Sequence, residues 1–253
     1  MSDLTQRMKE NFEVRAQTYL PRRCPVILRI DGKAFHTFTK NCKRPFDKEL
    51  MEAMDKTTIY LAENIQGAQI GYTESDEISI LITDYTTINT DAWFSYNVQK
   101  MTSIAASMAT AKFNSVYESS DTKYVSERDN MGREVNRCLY DKPLALFDAR
   151  VFSIPDLVEV ANYFIDRQKD CERNSIQMVA QSMYSQKELH KKKIPQIHEM
   201  LYAKGINWND YATGEKRGRL ITKSEADGWR VVDTPIFAQD RAMLESLIPQ
   251  RGY

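Results

Sequence analysis

No apolar run in this sequence approaches the ~20 residues that a membrane-spanning helix requires. Its first residues, MSDLTQRMKENFE, are polar and charged and lack the apolar core of a signal peptide. The cysteines Cys24, Cys42, Cys138 and Cys171 form no C-x-x-C pair, which argues against a structural zinc site. Their spacing is not that of a secreted disulfide framework, so free thiols and a cytoplasmic location are expected. Net charge is absent too, with 35 basic residues against 35 acidic ones. That balance argues against a protein that simply coats nucleic acid, while leaving room for a local basic face. There is no internal repeat, no low-complexity segment, and no G-x-S-x-G, Walker A or Rossmann fingerprint.

What is present is a chain able to fold. Hydrophobic residues make up 42%, enough for a sizeable core, and charged residues 28%, enough to solvate its surface. A length of 253 residues suits one large domain or two small ones.

Residues 4–19 read as a helix with Leu4, Met8, Phe12 and Tyr19 on roughly one side, stopped by the prolines at 21 and 25. Val26–Ile30 is short, apolar and β-branched, as a buried strand is, and Asp31-Gly32 ends it. A helix is predicted over 46–64. A strand over 68–72, a polar turn at 73–76 and a strand over 77–82 then make a hairpin. The longest helical pattern runs over 91–117 with Asp91 as its cap, and residues 144–152 return to a strand. The order β-α-β-β-α-β is that of a ferredoxin-like antiparallel sheet with two helices on one face, an α+β fold. Beyond it lie a helix over 156–185, a helical pattern over 187–203, and short strands near 219–222 and 229–232. One catalytic domain is expected, with a core over about 20–155 and an appended C-terminal lobe of helices and strands over 156–253.

The acids matter because of where they fall. In this topology the first and third strands are central neighbours, so Asp31 and Asp76 can converge, with Glu77 beside them. Converging carboxylates repel unless a cation relieves them. Magnesium takes one or two carboxylates together with water and substrate phosphate, and two such ions can clamp a phosphoryl transfer. Residue type alone favours ordinary turn acids; the topology argues the other way. In the loop Gly32-Lys33-Ala34-Phe35-His36, the glycine allows close backbone approach to a phosphate. Phe35 and His36 are candidates to contact a nucleotide, or equally a core ring and a surface imidazole. Basic residues recur near this edge: Arg29, Lys33, Lys40, Lys43, Arg44 and Lys100, suited to a triphosphate or an RNA 5′ end. Lys187, Lys191, Lys192 and Lys193 form a second cluster, for which a solvated helix face is the simpler reading and RNA contact the alternative. His190 and His198 have no partner at metal-site spacing and read as surface residues.

These segments carry a resemblance. Arg29-Ile30-Asp31-Gly32-Lys33-Ala34-Phe35-His36-Thr37-Phe38-Thr39 resembles the R-x-D-G-x-x-F-H-x-F-T signature of the tRNA-histidine guanylyltransferase superfamily. Ser75-Asp76-Glu77-Ile78-Ser79 resembles its S-D-E-x-S hairpin. Phe147-Asp148-Ala149-Arg150-Val151 and Arg167-Gln168-Lys169-Asp170-Cys171 resemble its F-D-x-R-V strand and R-Q-x-D-C helix. The match runs from about residue 5 to 222, and four motifs in order are far more specific than one.

The resemblance implies a palm-like core with two magnesium ions on Asp31 and Asp76 and on the Gly32 carbonyl. It implies nucleotide contacts from residues 31–36, Ser75, Asp76, Lys43 or Arg44, Asp47 and Lys100. It also implies ATP and GTP as substrates, tRNA as partner and a homotetramer. The family adds nucleotides to tRNA 5′ ends in the 3′-to-5′ direction. One departure stands out: after D-C the family's H-I-N-N-L-Y-N is here Glu172-Arg173-Asn174-Ser175-Ile176-Gln177-Met178, with only Asn174 in register. This resembles the guanylyltransferase-like branch that repairs truncated 5′ ends on a template. Non-templated guanosine addition is the alternative, and a non-catalytic RNA- or nucleotide-binding module or a cyclase are the others. RNA-binding sheets of this topology display aromatics on their exposed face, whereas this chain puts carboxylates at its strand ends, which favours the enzyme.

Overall fold

The computed structural model describes residues 3–117, 124–128, 131, 133–138 and 144–250. The chain opens with α1 (Asp3–Met8), a π turn (Lys9–Glu13) and a 3₁₀ turn (Val14–Ala16), then β1 (Val26–Gly32), the single turn α2 (Phe35–Phe38) and α3 (Lys48–Asn64). A hairpin of β2 (Ala68–Glu74) and β3 (Glu77–Ile82) leads to α4 (Val98–Val116), a second hairpin of β4 (Tyr124–Arg128) and β5 (Glu134–Cys138), and β6 (Phe147–Ser153). The C-terminal part holds α5 (Leu157–Met183), α6 (Gln186–Leu189), α7 (Ile194–Ala203), α8 (Thr213–Arg217), β7 (Arg219–Ser224), β8 (Gly228–Val232) and α9 (Arg241–Ser246).

The main sheet has the order β6-β1-β3-β2-β7-β8, with antiparallel neighbours throughout. The fold is the expected mixture of helices and antiparallel sheet, with β1 and β3 adjacent at its centre. Pleating sends alternate residues to opposite faces. Val26, Leu28, Ile30, Ile78, Ile80 and Ile82 face α3 and α4, meeting Met54, Leu61, Met101, Ala105 and Phe113. Ile27, Ile70, Tyr72 and Leu81 face the other way, against Val160, Ala161 and Phe164 of α5 and Leu244 of α9. The C-terminal segment thus covers the sheet's second face and adds β7 and β8 to its β2 edge.

Parity also sorts the polar residues. Arg29, Asp31, Glu77 and Ser79 share the α5 face with Ile27 and Leu81, and β6 brings Asp148 and Arg150 to it in register with Asp31 and Arg29. That face is apolar at one end and charged at the other. The second half of α5 leaves the sheet, and Ile176, Val179 and Ala180 pack on Ile197 and Leu201 of α7 and on Trp208.

Several boundaries differ from the sequence reading. The helix expected over 4–19 changes pitch at Lys9 and Val14 and stops before Tyr19; residues 3–19 are all exposed, so no packing holds one register. The helix expected from Asp91 starts at Val98, because Phe94, Ser95 and Tyr96 take positive φ. Asn97 is the cap, accepting from the Lys100 N–H at 3.0 Å. The helix expected over 187–203 is two, broken where Lys191 takes a φ of 61° and restarted with Pro195 in the first turn of α7. The hairpin turn is Ser75-Asp76 alone, and β1 runs on through Asp31 and Gly32.

Candidate active site

Strand register brings the central acids together. Asp31 lies opposite Glu77 on one side and Asp148 on the other. The Gly32 N–H donates to the Asp76 carbonyl at 3.1 Å, tying the end of β1 to the β2–β3 turn. Ser75 holds that turn with a φ of 45°, and its hydroxyl donates to the Asp76 carboxylate at 2.9 Å. Burial raises the Asp76 pKa, and the nearby Asp31 charge adds to the rise, against the opposing Ser75 and backbone hydrogen bonds. The Arg150 guanidinium stands 3.8 Å from Asp31.

Glu77 has a different environment. It is buried and ion-paired to Arg29, and Arg167 of α5 lies 3.6 Å away. Burial pushes its pKa up despite both arginines. One carboxylate oxygen carries the arginines, while Oε1 has no protein partner. Glu77 therefore holds Arg29 toward the site.

The loop after β1 is built around Phe35. Its ring packs on Phe38, Phe113 and Phe147 with centroids 5.0, 5.7 and 5.1 Å away. A Cβ on Gly32 would sit 2.2 Å from that ring, so only glycine fits there. Ala34 takes a φ of 53° to start α2, and the Lys33 N–H donates to the Leu146 carbonyl at 2.8 Å. Asp47 is buried; it caps α3 by accepting from Leu50 N–H at 3.1 Å and fixes the preceding loop by accepting from Lys43 N–H at 2.9 Å.

Two clefts meet at the acids. One, of about 500 Å³, is lined by Asp31, Gly32, Ala34, Phe35 and His36, by Lys43, Arg44 and Asp47, and by the Ser75-Asp76 turn. The other, of about 420 Å³, is lined by Arg29, Glu74, Glu77, Asp170, Asn174 and Gln177. Asp31, Ser75, Asp76, Met178 and Gln181 line both.

Among the residues expected at a site, Asp31, Gly32, Ala34, Phe35, His36, Lys43, Arg44, Asp47, Ser75 and Asp76 border the first cleft. Arg29, Glu77 and Asn174 border the second. Lys33 and Lys100 are exposed and border neither, and Lys187 and Lys191 stand on the exposed segment around α6. Lys43 pairs with Glu49 at 3.0 Å, which leaves Arg44 as the cation facing the first cleft without an acidic partner among the described residues. Residue type does not mark Gln177, Met178 and Gln181 as site residues, although the first two lie in the stretch that departs from the family's motif. Their signal is helical spacing from Asp170 and Asn174, visible once α5 is placed over the sheet.

The donor set fits a magnesium site of the substrate-completed kind. Among the described residues no group of three or more His, Cys, Asp or Glu side chains forms a closed cage. Magnesium needs none, since it binds through one or two carboxylates plus substrate phosphates. Asp31 and Asp76, with mutual repulsion to relieve, provide such a pair.

Comparison with known proteins gives the lineage. Residues 5–155 match the sequence profile of the tRNAHis guanylyltransferase (Thg1) family. The chain belongs to that family. Family membership makes it a nucleotidyltransferase. It is 27% identical to the tRNA(His) guanylyltransferase of Candida glabrata, over 86% of this chain and 90% of that one. A bacterial Thg1-like protein in complex with ATP superposes with a TM-score of 0.84 at 45% identity, covering 97% of this chain and 99% of the other. A bacterial Thg1-like protein in complex with GTP superposes at 0.77, with 42% identity and the same coverage. The profile match ends at 155, within the loop before α5, whereas both superpositions extend through the C-terminal part. Among the described residues no helix is long and apolar enough to cross a membrane, and Cys24, Cys42 and Cys171 form no disulfide. The Cys138 side chain lies outside the described residues.

Proposed function

We propose that this chain adds nucleotides to the 5′ end of tRNA in the 3′-to-5′ direction, repairing truncated ends on a template. The observation that carries the reading is the convergence of Asp31 and Asp76 on the wall between two clefts, one edged by Arg44 and one by Arg29. The ATP and GTP complexes of the bacterial relatives support nucleotide binding here.

The first cleft takes the nucleoside triphosphate. The backbone of residues 31–36 and the Arg44 guanidinium meet its phosphates, and Asp47 holds the 43–47 loop in place. The second cleft takes the RNA 5′ phosphate on Arg29, which Glu77 and Arg167 keep oriented. Two magnesium ions on Asp31, Asp76 and the Gly32 carbonyl would supply charge neutralisation at the reacting phosphates. In activation, the RNA 5′ phosphate displaces pyrophosphate from ATP. In addition, the 3′-hydroxyl of the incoming nucleotide, such as GTP, attacks the activated phosphate and AMP leaves. The side chains supply position and charge, which is most of what phosphoryl transfer requires. Glu77 is a positioning residue in this scheme, acting through Arg29. The active form is a cytoplasmic homotetramer built of one catalytic domain per chain, and light scattering measures that mass directly.

The test is incubation with magnesium, ATP, labelled nucleotides and a tRNA lacking its first nucleotide. Extension at the 5′ end is expected, and Asp31→Ala and Asp76→Ala each abolish it. No extension, or extension that survives both substitutions, overturns the reading.

A further inference from the structure

The wall opposite the carboxylates is one face of α5, and its chemistry changes along the helix. Near the sheet it carries Arg167 and Asp170, which are tied into the Glu77 network. Further along, Asn174, Gln177 and Gln181 recur at helical spacing, covering roughly 10 Å of axis at about 1.5 Å per residue. All three border the second cleft, and Gln181 borders the first as well.

These amides, exposed at Asn174 and Gln181 and half-buried at Gln177, contrast with a buried one in the same helix. Gln168, nearly two turns before Asn174, is saturated: its amide donates to the Pro235 carbonyl at 2.8 Å and accepts from Phe237 N–H at 2.8 Å. Among the described residues Asn174, Gln177 and Gln181 have no such protein partners. They line clefts of about 500 and 420 Å³ with donors and acceptors unspent. Met178 stands among them, half-buried, bordering both clefts and a smaller recess toward Phe46 and Met51.

Neutral amides are poor phosphate ligands beside two carboxylates and three arginines. Each donates and accepts at once, which matches the edge of a nucleobase. A thioether beside them offers a polarisable apolar surface for a ring. Resting on the function proposed above, we propose that Gln177 and Gln181, with Met178 as platform, are specificity residues that contact base edges where the incoming nucleotide pairs at the RNA 5′ end. Gln181 borders both clefts and so touches both partners of the new step, whereas Gln177 touches the RNA side.

The experiment separates this role from the chemistry. Gln177→Ala, Gln181→Ala and the double variant of the full chain are assayed on one tRNA lacking its first nucleotide. AMP transfer from ATP to the 5′ phosphate, and single-turnover addition of matched and mismatched nucleotides, are measured separately. AMP transfer at saturating ATP, which involves no base pairing, serves as the reference rate for each variant. The matched-to-mismatched rate ratio is expected to fall roughly tenfold in each single variant and further in the double, the scale of one lost base-edge contact. Gln181→Asn, which keeps the amide, is expected to recover part of the ratio. An unchanged ratio in both single variants overturns the inference and leaves 5′ addition standing, as does an equal loss in AMP transfer and addition. If the unaltered chain adds no nucleotide, the proposed function falls and this inference falls with it.

Discussion

Replacing Glu74 by Gln tests the electrostatics of the site in a single pH series. Glu74 ends β2, two residues before Asp76, and is 4% exposed with Oε1 unpartnered. Burial, and after it the Glu77 charge, push its pKa from 4.5 to about 8, so it holds its proton at neutral pH. A carboxyl raised in the folded state binds more protons there than in the unfolded chain. Its contribution is therefore fully present below about pH 4.5, declines as pH rises, and is gone once pH passes about 8. Across that interval the loss accumulates at about 1.4 kcal/mol per pH unit, a total on the order of 5 kcal/mol. Gln has the same shape and no charge to bury. Urea unfolding in metal-free buffer from pH 4.5 to 8.5 should show the two proteins nearly equal at the acid end. The variant should be more stable by several kcal/mol near pH 8. Groups common to both chains cancel in the difference except Glu77, whose charge is coupled to Glu74. Parallel stability curves, or a variant less stable at pH 8, would refute a carboxyl kept neutral by burial.

Gly32→Ala drives a Cβ to 2.2 Å from the Phe35 ring, so a loss of about 1–3 kcal/mol is expected by thermal unfolding. The displaced loop should cost about 10²-fold in the rate of 5′ addition, and an unchanged melting temperature would mean the ring is not packed over Gly32. Asp47→Ala removes the acceptor for Leu50 and Lys43 N–H groups; about 1 kcal/mol of stability is expected to go, together with weaker ATP binding in a titration. Arg167→Ala leaves buried Glu77 with Arg29 alone, and urea unfolding should record a loss of about 3 kcal/mol; a loss under about 1 kcal/mol would show that the network is solvated.

Much of the sheet was legible because its strands are short apolar runs bounded by polar turns. Val26–Ile30 and Glu77–Ile82 announce themselves in this way, and two central antiparallel strands then bring Asp31 and Asp76 together. The helix ends were less legible. Asp91 is as good a cap by type as Asn97, and what decides between them is positive φ at Phe94, Ser95 and Tyr96. The N-terminal helix misled because its apolar spacing has no surface to meet, as Leu4, Met8 and Phe12 are exposed. In the site, the motif residues of the 31–36 loop and the hairpin were visible, but the α5 wall was not. Gln177 and Gln181 are ordinary helix residues by composition, and only the docking of α5 on the sheet gives them a cleft to line. Asp47, which the resemblance implies as a nucleotide contact, has a role that residue type does not reveal: each of its carboxylate oxygens accepts from a backbone N–H and so shapes the loop beside the cleft.

The position of the site follows from two matched changes in character. On the sheet's second face, parity puts Ile27, Leu81 and Ile70 at one end, and Arg29, Asp31 and Glu77 toward the other. On α5, Val160, Ala161 and Phe164 meet the apolar end, and Arg167 and Asp170 follow where the sheet becomes charged. A helix of 27 residues is long enough to do both and still run past the sheet edge. Past that edge its other side packs on α7 and Trp208, whose indole N–H donates to Ser175 Oγ at 3.0 Å. That anchoring fixes residues 174–181 from behind, so their free amides face the clefts from a rigid element. The burial that stabilises the C-terminal half of α5 therefore also sets the geometry of the wall, and substitutions at Trp208 should alter nucleotide selectivity without touching a substrate.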